Sequence, residues 1–262
     1  MKIGFIGSGN MASAFISGFL SSGLIKKEDV FVSHANEEKL SIWKKKGVNC
    51  ETSNTEVVVN SDIIFFAVKP NVLPDVLTEI KKYKKDKLFV SMAAGFSLDK
   101  IEKVLGKDTK IIRIMPNTPV LVRCGMTVMA FNSQVLDNEK EETKKLLMTV
   151  GEVIELEEKF INAATALHGS SPAYIYMMID AMANSGVKYG LDKKTATLLA
   201  AKAVEGSAKM VLNSSENAMQ LRDNVCSPGG TTIEAVLELE RNGFCGCVSK
   251  AIDKCVEKAE NM

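Results

Sequence analysis

The chain has 262 residues, 46% of them hydrophobic and 25% charged, with a formal net charge of +1. That size suits two domains with ample material for a core, and that composition argues against a disordered or membrane-spanning chain. The balanced charge gives no footprint for nucleic acid, so the lysine-rich stretches 44–46 and 81–87 read as solvated helix ends and turns. Six cysteines without framework spacing and only two histidines, His34 and His168, point to reduced thiols and to no metal site. Residues 2–7 already read as a strand, so no leader is expected ahead of them, no membrane contact is expected, and a cytoplasmic location is the expectation.

Residues 2–6, 30–33, 63–68, 88–91 and 111–115 read as strands. The later ones run apolar without alternation, as in a parallel sheet covered on both faces. Between them 11–20, 37–45, 73–80 and 98–105 place apolar residues at helical spacing. Strand and helix alternate, which is βαβ construction. Two edge strands, 126–130 and 151–156, are expected to follow with a helix over 139–148 between them. From Glu158 the strand signal stops and long helical segments rich in Ala, Met and Leu take over. The expected fold class is therefore α/β, a doubly wound sheet over 1–157 followed by an all-helical domain over 158–262. In the second domain Pro172 fits the first position of a helix, Asp192 fits the N-cap of a helix over 193–212, and Gly190 supplies the stop between them. Segments 181–183 and 199–203 carry small and apolar residues on more than one face, so burial against a second subunit is expected.

Gly7-Ser8-Gly9-Asn10-Met11-Ala12 matches the G-x-G-x-x-G/A pattern directly after the first strand and at the opening of the first helix. Gly7 permits the tight turn, Gly9 admits a pyrophosphate to the backbone, and Ala12 lets the helix lie close to the sheet. The helix N-terminus adds unpaired N–H groups and a positive dipole end. A nicotinamide dinucleotide on a Rossmann-type sheet, held by Gly7, Ser8, Gly9, Asn10 and Met11, is the expectation. At the end of the second strand, where an acidic residue would hold the ribose hydroxyls of NADH, the chain reads Ser33-His34-Ala35-Asn36. No carboxylate there repels a 2′-phosphate, and Ser33, His34 and Asn36 can hydrogen-bond one, so NADPH is favoured with NADH left open. His34 reads equally well as an exposed loop residue.

Three further segments carry a resemblance: Ala67-Val68-Lys69-Pro70, Met115-Pro116-Asn117-Thr118-Pro119, and the run Leu221-Arg222-Asp223-Asn224-Val225-Cys226-Ser227-Pro228-Gly229-Gly230-Thr231-Thr232. Together they resemble the pyrroline-5-carboxylate reductases over essentially the whole chain, residues 227–232 being the most specific part. The resemblance implies reduction of the ring C=N of 1-pyrroline-5-carboxylate to L-proline, the final step of proline biosynthesis. It also implies a Rossmann domain for NAD(P)H and a helical domain that forms an interlocked homodimer able to build a decamer. By the same resemblance Thr232 hydrogen-bonds the substrate ring nitrogen and is the catalytic candidate. Gly230 and Thr231 line the substrate carboxylate pocket, Glu158 and Thr165 lie near the substrate, and Asn224 reaches the cofactor. Asn54, Ala67, Val68, Lys69, Pro70, Ala93, Ala94 and Gly95 are implied cofactor contacts at the carboxyl ends of strands, where open α/β sheets bind ligands.

Read physically, Pro228-Gly229-Gly230 lets the backbone curl close to an anion, and Thr231 with Glu234 has capping-box spacing for a helix over 233–241. A plain helix cap is the competing reading of that cluster. One departure stands out: the family's Ser-Gly-Ser-Gly-Pro is here His168-Gly169-Ser170-Ser171-Pro172, and a positive φ at Ser171 would strain it. His168 is not assigned as an acid, because a proton donor must lie within hydrogen-bond reach of substrate. The expected mechanism transfers hydride from nicotinamide to the imine carbon without a metal or a covalent intermediate. Two other readings are a related imine or hydroxy-acid oxidoreductase, for which Lys188 and Lys202 are available bases, and a non-catalytic nucleotide-binding protein.

Overall fold

A computed structural model describes residues 1–261. The chain divides into two compact units, Met1–Gly169 together with the segment from Val256 onward, and Ser170–Cys255. No helix among the described residues is long and apolar enough to cross a membrane.

The first unit is built on eight strands: β1 (Ile3–Ile6), β2 (Val30–Ser33), β3 (Asn49–Glu51), β4 (Ile63–Phe66), β5 (Leu88–Ser91), β6 (Lys110–Pro116), β7 (Gly125–Phe131) and β8 (Gly151–Glu155). Their order is β3-β2-β1-β4-β5-β6-β7-β8. All neighbours run parallel except β6 and β7, which pair antiparallel with Met115 opposite Val128. Residues 126–130 therefore belong to an internal strand, and β8 and β3 form the edges. Seven helices accompany the sheet: α1 (Asn10–Ser22), α2 (Glu37–Lys45), α3 (Asn54–Val59), α4 (Leu73–Ile80), α5 (Leu98–Leu105), α6 (Asp137–Leu147) and α7 (Ile161–Ala164). One buried cluster joins Ile3 and Phe5 of β1 to residues of α1, α2 and α6, and a second joins Ile6 of β1 to residues of α3, α4 and α5. The sheet is covered on both faces, which makes it doubly wound.

Aromatic packing sets the centre of this unit. Phe5, Phe15, Phe19 and Phe65 interlock, with Phe5 and Phe65 stacked at 4.8 Å between ring centroids. On the opposite face Phe66 stacks on Phe89 at 5.4 Å. Each such ring withdrawn from water stabilises the fold by about 1.5–3 kcal/mol. Asn36 caps α2, accepting from the Glu38 amide at 2.8 Å, and α2 buries Leu40 and Trp43. The Lys46 ammonium lies over the Trp43 ring.

The second unit holds α8 (Ser171–Lys188), α9 (Lys193–Asn213), α10 (Ala218–Val225), α11 (Thr231–Arg241) and most of α12 (Phe244–Glu260). Pro172 lies in the first turn of α8, and Asp192 caps α9 by accepting from the Thr195 amide at 3.0 Å. Gly190 takes a positive φ of 94° between the two helices. α8 and α9 cross closely, since a Cβ on Gly186 would lie 3.0 Å from the Ala196 Cβ. Ser171 is helical and carries no positive φ, so replacing the family's glycine there causes no backbone strain. Among the described residues of this unit only Ala183, Ala196 and Ala200 are buried.

Candidate active site

The turn between β1 and α1 fits a dinucleotide. Gly7 has φ +103°, its N–H donates to the Ser33 carbonyl at 2.9 Å, and a Cβ there would lie 2.5 Å from the Ala67 carbonyl oxygen. Only glycine meets both the dihedral and the close approach. Gly9 is the N-cap of α1 with no side-chain cap, and nothing lies within 4 Å of where its Cβ would stand. The amides of the first turn, carried by Asn10, Met11 and Ala12, have no intrahelical acceptor. Ser8 is 7% exposed and its hydroxyl has no hydrogen-bond partner. An orphaned buried hydroxyl beside a bare helix N-terminus is what a pyrophosphate would satisfy.

A cavity of about 400 Å³ adjoins this turn, and Gly7, Gly9, His34, Lys39, Asn54, Ala67, Val68 and Lys69 contribute to its wall. Ser33 does not line it. Its side chain is 1% exposed and its hydroxyl donates to Asn54 Oδ1 at 2.7 Å, so it positions Asn54. Asn54 in turn donates to Glu79 at 2.8 Å. His34 Nδ1 accepts from the Asn36 N–H at 2.8 Å, which in the neutral ring leaves the proton on Nε2. Burial, then the charge of Lys39, holds the His34 imidazole below its ordinary value. Lys39 has no place in the G-x-G-x-x-G/A motif; its signal was one lysine on the first turns of the helix after β2.

Pro70 follows Lys69 outside the cavity wall, and Ala93, Ala94 and Gly95 sit beyond the carboxyl end of β5. Ala93 is buried and Ala94 packs on the cluster of Met115, Val128 and Ile161. Gly95 takes φ +72° and its carbonyl accepts from Lys100 Nζ at 2.8 Å.

Glu158 is held by the scaffold. Its Oε1 accepts from Arg113 Nη1 at 2.9 Å and from the Leu98 amide, at the start of α5, at 2.7 Å. Arg113 is only 5% exposed, and a guanidinium inside the apolar run of β6 is the sequence signal for a buried partner. Thr165 opens the π-helical turn Thr165–Gly169 and donates to the Ile161 carbonyl at 2.6 Å. His168 closes that turn onto β6: Nε2 meets the Met115 carbonyl at 2.8 Å and Nδ1 meets the Ala164 carbonyl. Asn117 donates to the His168 carbonyl at 3.1 Å and accepts from the Met126 amide at 2.9 Å. Both His168 nitrogens are thereby occupied by backbone.

In the second unit, residues 227–230 form a turn closed by the Gly230 N–H on the Ser227 carbonyl at 3.0 Å, with Gly229 at φ +67°. The expected capping box at Thr231 is not formed. Gly230, in extended conformation at φ −80° and ψ 168°, is the N-cap, and α11 begins at Thr231 without a side-chain cap. An N-cap must be non-helical, and the turn places its last extended residue at Gly230, one position early for Thr231. The consequence is a helix start whose amides, on Thr231, Thr232 and Ile233, are uncapped and able to receive a carboxylate. Thr232, half-buried, lies in that first turn. Asn224 lies at the end of α10 and donates to Glu216 at 2.8 Å.

Comparison with known proteins covers both halves. Residues 158–262 match the family model for pyrroline-5-carboxylate reductase dimerisation, and residues 2–95 match that for NADP oxidoreductase, coenzyme F420-dependent. The Escherichia coli (strain K12) pyrroline-5-carboxylate reductase is 44% identical over 263 residues, covering 100% of this chain and 98% of that one. The crystal structure of Plasmodium falciparum pyrroline carboxylate reductase with NADP bound superposes with a TM-score of 0.92 at 35% identity, covering 100% of this chain and 97% of the other. That of the Coxiella burnetii pyrroline-5-carboxylate reductase gives 0.92 at 36% identity over 99% and 97% of the two chains. Sharing sequence end to end with these enzymes, the chain belongs to the pyrroline-5-carboxylate reductase family.

Proposed function

We propose that this chain reduces the ring C=N of 1-pyrroline-5-carboxylate to L-proline, with NADPH as its preferred hydride donor. The observation that carries this reading is the 44% identity to the Escherichia coli reductase over the full length of this chain. Both the cofactor cradle and the uncapped helix start of α11 fall inside that match. When bound, the nicotinamide supplies the hydride; everything else is the work of the chain.

Gly7, Gly9 and the first turn of α1 receive the pyrophosphate, with the Ser8 hydroxyl as a further donor. His34, Asn54, Ala67, Val68 and Lys69 hold the adenosine side of the cavity, and Ala93, Ala94 and Gly95 leave room for backbone approach at the end of β5. In the helical part, the uncapped amides at the start of α11, beginning with that of Thr231, hold the substrate carboxylate in a pocket that Gly230 lines. The Thr232 hydroxyl donates to the ring nitrogen and stabilises the negative charge that develops there as the C=N bond is reduced. Glu158 keeps the start of α5 in place, which supports the Ala93–Gly95 segment from behind. The working division is a cofactor domain over 1–157 and a substrate and dimerisation domain over 158–262, with two copies joined through the latter. A pentamer of such dimers is the larger assembly to look for by light scattering, and six unpaired cysteines suit the reducing cytoplasm.

The test is steady-state oxidation of NADPH and, separately, of NADH with 1-pyrroline-5-carboxylate, followed by absorbance with proline identified as product. Proline formed more efficiently with NADPH supports the reading; no proline with either nucleotide overturns it.

A further inference from the structure

The cavity beside the glycine turn holds a cation that the pyrophosphate cradle does not use. Lys39 lies in the first turns of α2, on the cavity wall with His34, and its ammonium makes no ion pair or hydrogen bond among the described residues. The other cation on that wall, Lys69, follows β4 just past Ala67, the residue that meets Gly7. Opposing charge is scarce on every element around His34. Glu79 of α4 is engaged by Asn54, while Glu37 and Glu38 of α2 and Glu51 of β3 are absent from the wall. Nδ1 of His34 is fixed by the Asn36 amide, so Nε2–H is the end left for a ligand.

We propose that Lys39, together with His34, is the seat of the cofactor's 2′-phosphate, that this pair sets the choice of NADPH over NADH, and that seating the phosphate draws a proton onto His34. The proposal rests on the reading of this cavity as the adenosine end of the dinucleotide site. A phosphate carries up to two charges near neutral pH, and each cation facing it makes a charge-assisted bond. In the free protein, burial and then Lys39 hold the His34 imidazole below its ordinary value, which keeps it neutral at pH 7. A phosphate dianion beside it reverses the balance and raises the value. Between the lowered and raised values, binding takes up a proton. NADPH affinity therefore falls as pH rises through that window, and NADH affinity does not.

The test uses the full chain and two probes in a calorimeter, adenosine 2′,5′-bisphosphate and adenosine 5′-monophosphate. Replacing Lys39→Ala should weaken the bisphosphate roughly 10- to 150-fold, the range for losing a bond to a charged group, and leave the monophosphate within about twofold. Lys39→Arg should restore most of the bisphosphate affinity. His34→Asn should reduce the dependence of the bisphosphate binding enthalpy on the buffer's ionisation enthalpy; the phosphate's own ionisation is common to both proteins, so the difference reports the imidazole. Equal weakening of both probes by Lys39→Ala, or weakening of neither, overturns Lys39 as the determinant. Identical buffer dependence in His34→Asn overturns the proton uptake. Failure of both probes to bind the unmodified chain overturns the cavity assignment itself, an outcome separate from the other two.

Discussion

The two units of this chain solve burial in opposite ways. In the sheet unit, strands and helices cover each other, and Phe5, Phe15, Phe19, Phe65, Phe66 and Phe89 are all fully withdrawn from water. In the helical unit only three alanines are buried among the described residues, while Met177 is 73% exposed, Tyr189 81% and Leu212 82%. A unit with this much apolar surface outside is incomplete as a single copy. The helices are the part of the chain that a second copy must finish, consistent with the dimerisation model that matches them. The glycine turn and its cavity are built within the sheet unit, while the helical unit leaves its apolar faces for another copy to cover.

The largest effect should come from breaking the second half of that contrast. Charging α8 and α9 together, with Met177→Glu and Leu198→Glu, is expected to abolish the dimer in light scattering and to remove activity, while NADPH still binds in a calorimeter. Retention of the dimer would show that these faces lie outside the interface. Gly7→Val attacks the other half: a side chain against the Ala67 carbonyl in a left-handed conformation costs about 3 kcal/mol, which is about 100-fold in nucleotide affinity, with the dimer intact. Thr232→Ala should lower kcat/KM roughly 10- to 1,000-fold without changing NADPH affinity, and unchanged kinetics would remove its role.

Two smaller effects compare ion pairs across the units. Glu158→Ala leaves the Arg113 guanidinium buried without its carboxylate, and urea unfolding should register a loss of about 3 kcal/mol. In the helical unit Glu205 sits between Lys202 and Lys209 at 2.7 Å from each, and those bonds lower its carboxyl to about 2. The folded value lies below the ordinary 4.5, so this stabilisation is present above 4.5 and is lost as pH falls toward 2. The pair is fully solvated, so Glu205→Gln should flatten the acid titration of the helical far-UV signal only slightly, and 1 M salt should erase the difference.

Where packing and local pattern agree, the elements were legible. Residues 37–45, 73–80 and 98–105, read from apolar spacing, coincide with α2, α4 and α5 to the residue. β3 escaped because Asn49, Cys50 and Glu51 are polar or half-buried and pair on one side only, with β2. α3 escaped because Val57-Val58-Val59 is a β-branched run, which favours strand locally and becomes helical here under contacts with β1 and α4. At the site, the glycine turn was legible because its spacing is dictated by a ligand. The identity of the partners of Arg113 and His168 was not, because a charge inside an apolar strand signals a buried partner but pairing at sequence separations of 45 and 53 leaves no local trace of which one. The capping box at Thr231 failed for a related reason: spacing identified the helix start, but the turn from Ser227 decided which residue stayed extended.

The single tryptophan of the chain adds an optical consequence to the contrast between units. Trp43 is 3% exposed, lies under the Lys46 ammonium, and is carried by the helix that also carries Lys39. Its emission reports the melting of α2 and the sheet beneath it, and the helical unit contributes no indole signal at all. Fluorescence followed in a denaturant series will therefore read the sheet unit alone, whereas far-UV circular dichroism sums the helices of both units, so a dichroism transition that separates from the fluorescence one and moves with protein concentration reports the helical unit.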